Sequence, residues 1–326
     1  MFAARGIVVA VSVFVIVYCA LSLAVVCTWR KVWLGKRKQS ARRAANLLFT
    51  LRMFPLMAAA MITAAFTIPS FVLLEPRAIH EPLGGMPLAL ALCGAALGIF
   101  GAVNAASALR KASRSISAWT AAARPADAWP CHARGGEACA PVPVLRISPP
   151  LPAMTAVGIV RPRILLSDAA ESLLTAGELQ TALNHELAHL RRGDNLKKLL
   201  LRFVAFPGLG SLEAAWLRAI ELTADDEAVS NPAQALDLAS ALIKLSRLGM
   251  VEPPVDLTAA LVHGPASFMS TRIERLIAWS EEHRGPSRRL SLWCGLAAGL
   301  ATVAVFAFTY SHLLAQVHTA TEWLVR

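Results

Sequence analysis

Apolar and charged positions along this chain separate into long blocks. No Asp, Glu, Lys or Arg falls between Arg5 and Arg30, between Arg52 and Glu75, between Glu81 and Arg110, or between Arg289 and Glu322. Each run can supply the about 20 apolar residues that a helix needs to cross a bilayer. The pattern predicts four spans, at 6–28, 53–74, 85–106 and 290–311. Pro55 and Pro69 fall near the ends of the second, where a proline disturbs a helix least. The first run is too long for a cleaved signal peptide, only Arg5 precedes it, and no small-residue cleavage site follows.

Between the third and fourth runs the pattern shortens into amphipathic segments. An Ala- and Ser-rich helix leads out of the third span over 107–130. A Pro-, Gly- and Ala-rich linker follows over 124–152, with a short strand at 144–147. "GIVRPRILLS" reads as a turn and a branched-aliphatic strand at 163–166, an edge to which an extended substrate could pair. Thr175 and Glu178 match a capping box, and Gly193 suits the left-handed position that closes a helix. Within that helix Leu179, Leu183, Leu187 and Leu190 form an apolar stripe, while His185 and His189 project from the opposite side. Further helices are predicted at 211–230, from the Asn231-Pro232 cap to about Gly249, and at 269–283, feeding the fourth span.

Composition agrees with membrane spans: 56% of the 326 residues are hydrophobic and 16% charged, where a soluble domain has about a quarter charged. The net charge of +11 does not point to nucleic acid, because of where it lies. Arg30, Lys31, Lys36, Arg37, Lys38, Arg42, Arg43 and Arg52 sit together without an acid among them, as in a cytoplasmic loop against anionic headgroups. The 75–84 loop has only Arg77, whereas Arg110, Lys111 and Arg114 follow the third span and Arg284, Arg288 and Arg289 precede the fourth. This bias places the amino terminus outside, the region 107–289 in the cytoplasm, and the tail 312–326 outside. Cys19, Cys27, Cys93 and Cys294 fall within spans as small apolar fillers. Cys131 and Cys139 bracket "CHARGGEAC": free thiols in a reducing cytosol, a disulfide if the topology is inverted, or with His132 a second metal site.

The candidate chemistry lies in "TALNHELAHLRRGDN", residues 181–195. His185 and His189, four residues apart, can present two imidazole nitrogens to one zinc ion, with Glu186 beside the bound water as its proton acceptor. The same histidines could mark only a polar helix face, so a third ligand decides. The stretch is not intramembrane: Arg191, Arg192, Asp194, Lys197, Lys198 and Arg202 at roughly 3 kcal/mol each would cost on the order of 18 kcal/mol at mid-bilayer. Metzincins place a glycine and a third histidine where this chain has Arg192 and Asn195, which excludes that class. A glutamate from a later helix is the other common solution. "RAIELTADDEAVS" offers Glu221 as ligand and, one turn on, Asp225 to accept a hydrogen bond from a ligand histidine. The alternative for these acids is a solvated helix face.

"HELAHLRRGD" followed by "ELTADDEAV" resembles the BlaR/MecR-type membrane metallopeptidases, the antirepressor family of bacterial antibiotic sensing. "GIVRPRILLS" is similar to that family's Gly-x-x-x-Pro-x-Ile lead-in, here Gly158, Pro162 and Ile164, and "STRIERL" to a closing Arg-Ile segment of related gluzincins. The resemblance implies His185, His189 and Glu221 as ligands of one Zn2+, Glu186 as catalytic acid and base, and Asp225 as the carboxylate behind a ligand histidine. It covers about 1–311, and implies a cytoplasmic α+β gluzincin-like protease domain between the third and fourth of four transmembrane helices. It further implies a bacterial inner-membrane location and cleavage of a cytoplasmic transcriptional repressor, or of the chain itself. Full-length sensors of this type continue into an extracellular penicillin-binding domain, and with Arg326 as its last residue this sequence is expected to be a short form without it. The family also favours a Trp-x-Asn-Pro-like segment between the metal helices. Here "FVAFPGLG", 203–210, stands instead, suited to the membrane surface or to core packing. HtpX-like proteases share the motif but place two spans between its halves, which the charged 190–221 stretch cannot hold.

The expectation is therefore a mainly α membrane protein carrying a zinc endopeptidase whose partners are a protein substrate and the lipid bilayer. His263 could polarise a transition state or lie on the surface. Two rivals remain at this level: a quality-control protease of broad substrate range, and a signalling scaffold that hydrolyses nothing. Substrate accumulation distinguishes the first and the phenotype of Glu186→Ala the second.

Overall fold

The computed structural model of the chain describes residues 2–34, 40–75, 84–121, 123–126, 142–148, 153–204, 206–248, 259–260, 266–279, 310 and 312–321. Cys131, Cys139, Cys294, His132, His263, most of the 124–152 linker and all of the fourth span except Tyr310 lie outside these residues. Among the described residues three helical stretches are long and apolar enough to cross a membrane: Phe2–Lys31, Ala41–Leu74 and Gly85–Ala121. They belong to α1 (Phe2–Leu34), to α2 (Ala41–Ile62) with a π-helical turn (Thr63–Thr67) and α3 (Ile68–Leu74), and to α4 (Gly85–Ala121).

The second stretch differs from expectation at its prolines. Helix α2 starts at Ala41, ahead of the apolar run, so Pro55 sits inside it rather than near an end. Pro69 follows the π turn, and a proline has no N–H to return to the carbonyl four residues earlier. That carbonyl belongs to Ala65, and the Tyr310 hydroxyl donates to it at 2.7 Å. A side chain thus satisfies a backbone acceptor that lipid could not.

The chain divides into two compact units, one of Met1–Gly35, Thr50–Phe100 and Gly285–Arg326, the other of Lys36–Phe49 and Gly101–Arg284. In the first, Glu75 lies 3.3 Å from Arg5 and 3.9 Å from His318, which sits in the helical 312–321 segment. The start of α1, the end of α3 and that segment therefore meet at one end of the unit.

The second unit is built on a five-stranded mixed sheet: β1 (Arg124–Pro125), β2 (Val144–Ile147), β3 (Met154–Val157), β4 (Arg163–Ser167) and β5 (Ala259–Ala260), in the order β1-β2-β4-β3-β5. Strand β4 is central, parallel to β2 and antiparallel to β3. This corrects the expectation of an edge strand at 163–166. The continuous apolar run Ile164-Leu165-Leu166 is what burial on both faces produces. Ile164 and Leu166 join Leu179, Leu183, Leu238, Leu242 and Leu276 in the main core. Leu165, with Ile147 and Val157, packs on Ile116 and Trp119 of α4. The β3–β4 turn needs Gly158, which has φ +88° and would bring a Cβ within 2.5 Å of the Arg161 carbonyl.

After α5 (Asp168–Leu173) come α6 (Ala176–Arg192), α7 (Asp194–Phe203), α8 (Gly210–Ala228), α9 (Pro232–Arg247) and α10 (Ala266–Ile277). The capping box at Thr175 and the left-handed Gly193, φ +62°, bound α6 as the sequence predicts. Glu178 of that box also accepts from Ser240 at 2.6 Å and Lys244 at 2.7 Å, tying α6 to α9. Asn231 caps α9 through the Gln234 N–H, with Pro232 in its first turn. Helix α7 was not anticipated. Gly193 ends one helix and starts the next, so the short amphipathic run behind it folds back as a separate element.

Candidate metal centre

Helix α6 is not a surface helix. Leu179, Leu183 and Leu187 are buried on one side, and His185, Glu186 and His189 are 0–1% exposed on the other. An imidazole without water must find partners inside the protein, and here each ring finds a carboxylate. His189 Nδ1 is 2.9 Å from Asp194 Oδ2, and His185 Nδ1 is 3.0 Å from Asp225 Oδ1. The Asp194 carboxylate at Nδ1 holds the His189 ring proton there and leaves its Nε2 lone pair free, while Asp225 stands in ion-pair contact with His185 Nδ1.

Both Nε2 atoms then converge, 3.2 Å apart. Two lone pairs approach that closely only with a shared proton or a cation between them. The Glu221 carboxylate completes the group, with one oxygen 3.6 Å from His185 Nε2 and the other 3.6 Å from His189 Nε2. One ligand atom from each of the three residues lies within 4.8 Å of the others. Ligands bonded at 2.0–2.1 Å in a tetrahedral array stand about 3.3 Å from one another. The N, N, O donor set and its spacing therefore fit a divalent cation of that kind.

Glu186 is oriented from the opposite direction. Its Oε2 accepts from the Ala156 N–H of β3 at 2.7 Å, while Oε1 is buried with no hydrogen-bond partner among the described residues. Strand and helix are thus clamped together with one carboxylate oxygen left open. Asn195 of α7 reinforces the clamp by donating to the Ala156 and Gly158 carbonyls, both at 3.3 Å.

The electrostatics follow from burial and charge partners. Burial opposes the His185 cation, but Asp225 and Glu221 outweigh it and push its pKa up to about 9. Burial lowers His189 in spite of Glu221 and Asp194. Burial pushes Glu186 up to about 8; the cationic pull of His185 is smaller, and the Glu221 charge adds to the rise. For Glu221 burial is overcome by His189, His185 and Arg272, which hold it at about 2. Asp225 is likewise kept well below the carboxylate range, Arg272 and His185 overcoming its burial.

All five residues singled out in the sequence meet here, yet the site holds more. Arg272 of α10 is fully buried and grips Asp225 with two bonds, Nε at 2.8 Å and a terminal nitrogen at 2.6 Å. Its remaining nitrogen is 3.2 Å from Glu221. The only hint of it was the "STRIERL" segment, to which no role attached. Asp194 is fully buried behind His189, with Lys197 at 3.2 Å and Arg192 at 3.6 Å. In the sequence Asp194 reads only as one of the charges that keep the stretch out of the bilayer. Its signal was the glycine before it, which turns the chain back toward the helix just ended.

Membrane-spanning helices joined to a buried His–His–Glu group beside an open carboxylate define the class: a membrane metallopeptidase. A family profile described as BlaR1 peptidase M56 matches residues 11–246. The chain belongs to that family, and as a peptidase it acts on protein. A comparison with curated proteins gave no match.

Proposed function

We propose that the chain is a zinc-dependent endopeptidase of the bacterial inner membrane, with His185, His189 and Glu221 as ligands of one Zn2+ and Glu186 as the proton carrier. The observation that carries this reading is the convergence of three ligand atoms within 4.8 Å, beside a buried carboxylate oxygen that has no hydrogen-bond partner among the described residues. Zinc bound there supplies Lewis acidity, polarising a peptide carbonyl and acidifying water. Glu186 Oε1 takes the proton of the attacking water and returns it to the departing amine. Burial raises the Glu186 pKa above the usual carboxylate range in the metal-free site, and a bound dication would draw it down again, toward the form that accepts a proton. The Ala156 N–H keeps the other oxygen from rotating into the site. Asp225 and Asp194 hold the two imidazoles in the tautomer that leaves Nε2 free, and Arg272 fixes Glu221 and Asp225 together.

The outer edge of β3 is the place for an extended substrate, since it adjoins Ala156 and hence Glu186. Ala259 and Ala260 already pair there, antiparallel, opposite Ala156 and Thr155. That pairing favours self-cleavage alongside cleavage of a cytoplasmic repressor, with the chain's own 259–260 segment as competitor for the edge. The basic 30–52 segment, where α1 ends and α2 begins, and the shared end of Arg5, Glu75 and His318 support four spans with the amino terminus outside and the peptidase unit cytoplasmic.

The test is purified full-length protein in detergent, with metal content and cleavage measured together. About one zinc per chain is expected, and Glu186→Gln is expected to keep the metal and lose cleavage of a repressor-type substrate and of itself. Equal proteolysis by that variant would refute the assignment.

A further inference from the structure

Helix α7 presents a face that no described residue of its own unit covers. Leu196, Leu200 and Phe203, spaced one turn apart, are 46%, 38% and 41% exposed. The opposite face, with Asp194, Asn195, Lys198 and Leu201, is buried. Exposed large side chains at this spacing make the apolar stripe of a helix that has a partner.

Its position says which. Leu199 packs against Ala108 and Ala112 of α4. Further along α7, the Phe203 carbonyl approaches Gly101 so closely that a Cβ on that glycine would stand 2.3 Å from it. Helix α7 therefore runs back along α4, and its end reaches Gly101 in the charge-free run 82–109 of that helix. Arg110, the first charge on α4, lies nine residues beyond Gly101, or about 13 Å along the axis at 1.5 Å per residue. The next helix agrees: the Trp216 ring of α8 sits 6.0 Å from Phe49, three residues before the second charge-free run opens after Arg52. From Asn195 to Leu212 the chain has three bases and no acid; Lys198 is buried, and Lys197 and Arg202, both partly exposed, suit an anionic surface.

We propose that α7 and the turn after it dip into the leaflet nearer the metal-site unit, with Leu196, Leu200 and Phe203 against acyl chains and Lys197 and Arg202 at headgroup level. The occupant of this face is lipid. The first two residues of the same helix, Asp194 and Asn195, hold His189 and strand β3, so the lipid contact bears on the helix that orients the site. This lipid contact is independent of which metal binds and of what is cleaved.

The test uses the full chain in nanodiscs of phosphatidylcholine and phosphatidylglycerol. Photoreactive benzoylphenylalanine replaces Leu196, Leu200 or Phe203 one at a time, with Leu92 on α4 as the span control and Leu236 on α9 as the solvent control. Phospholipid adducts are expected at all three α7 positions at a level near that of Leu92 and severalfold above that of Leu236. Adducts to a second copy of the chain, or adducts no more abundant than at Leu236, overturn the proposal. Hydroxyl-radical footprinting of the unmodified protein in the same nanodiscs needs no variant. Leu200 and Phe203 are expected to oxidise severalfold less than Leu236, and oxidation in proportion to their exposure overturns the proposal as well.

Discussion

Arg272→Met is the sharpest test of how the site is held. The guanidinium is fully buried, with two bonds to Asp225 at 2.8 and 2.6 Å and a contact to Glu221 at 3.2 Å. Methionine fills much of the same volume but leaves two buried carboxylates facing each other without their cation. Removing one partner of a buried ion pair costs about 3–5 kcal/mol. For a folded unit of this size each kcal/mol moves the melting temperature by about 2–4 °C. Chelator-stripped Arg272→Met is therefore expected to melt roughly 6–20 °C below the wild type when purified in detergent and followed by thermal unfolding. A divalent ion beside Glu221 returns part of the missing positive charge, so zinc reloading is expected to narrow the gap. Arg272→Lys keeps the charge without the two-pronged geometry and is expected to fall between. If metal-free Arg272→Met melts within about 2 °C of the wild type, the claim that this arginine neutralises the buried acids is wrong.

Other outcomes follow from individual contacts. Asp194→Asn and Asp225→Asn, nearly isosteric, are expected to weaken zinc binding by about 10- to 100-fold in competition titration while leaving the helical circular dichroism intact. Glu178 is held at about 2, burial being overcome by Lys244, Ser240 and the Thr175 N–H. Its folded pKa lies below its unfolded value of 4.5, so its contribution is complete above pH 4.5 and is lost as pH falls from there toward 2. Glu178→Gln is expected to flatten that part of a stability–pH curve measured by denaturant unfolding. Gly158→Ala forces a side chain into a left-handed turn, against the Arg161 carbonyl 2.5 Å away. It is expected to cost at least about 1 kcal/mol and to lower cleavage with it, because the Gly158 carbonyl is one of the two that Asn195 holds.

The relations legible in the sequence were those enforced within one helix or one long apolar run. A four-residue interval puts His185 beside His189 and Glu221 on the face of Asp225 wherever the helices lie. A threonine and a glutamate three apart cap α6 regardless of what packs on it, and charge-free runs of sufficient length mark helices that lipid can surround. Tertiary structure decided whatever joins distant segments. Ala156 reaches Glu186 across 30 residues and Arg272 reaches Asp225 across 47, and no local period records either contact. Strand β4 turned out central because β3 folds back on one side of it and β2 arrives on the other. From sequence alone an apolar run of that length reads equally as edge or centre. The same holds for burial: α6 is amphipathic in composition yet enclosed on both faces, since its polar side found carboxylates where a surface helix would have found water.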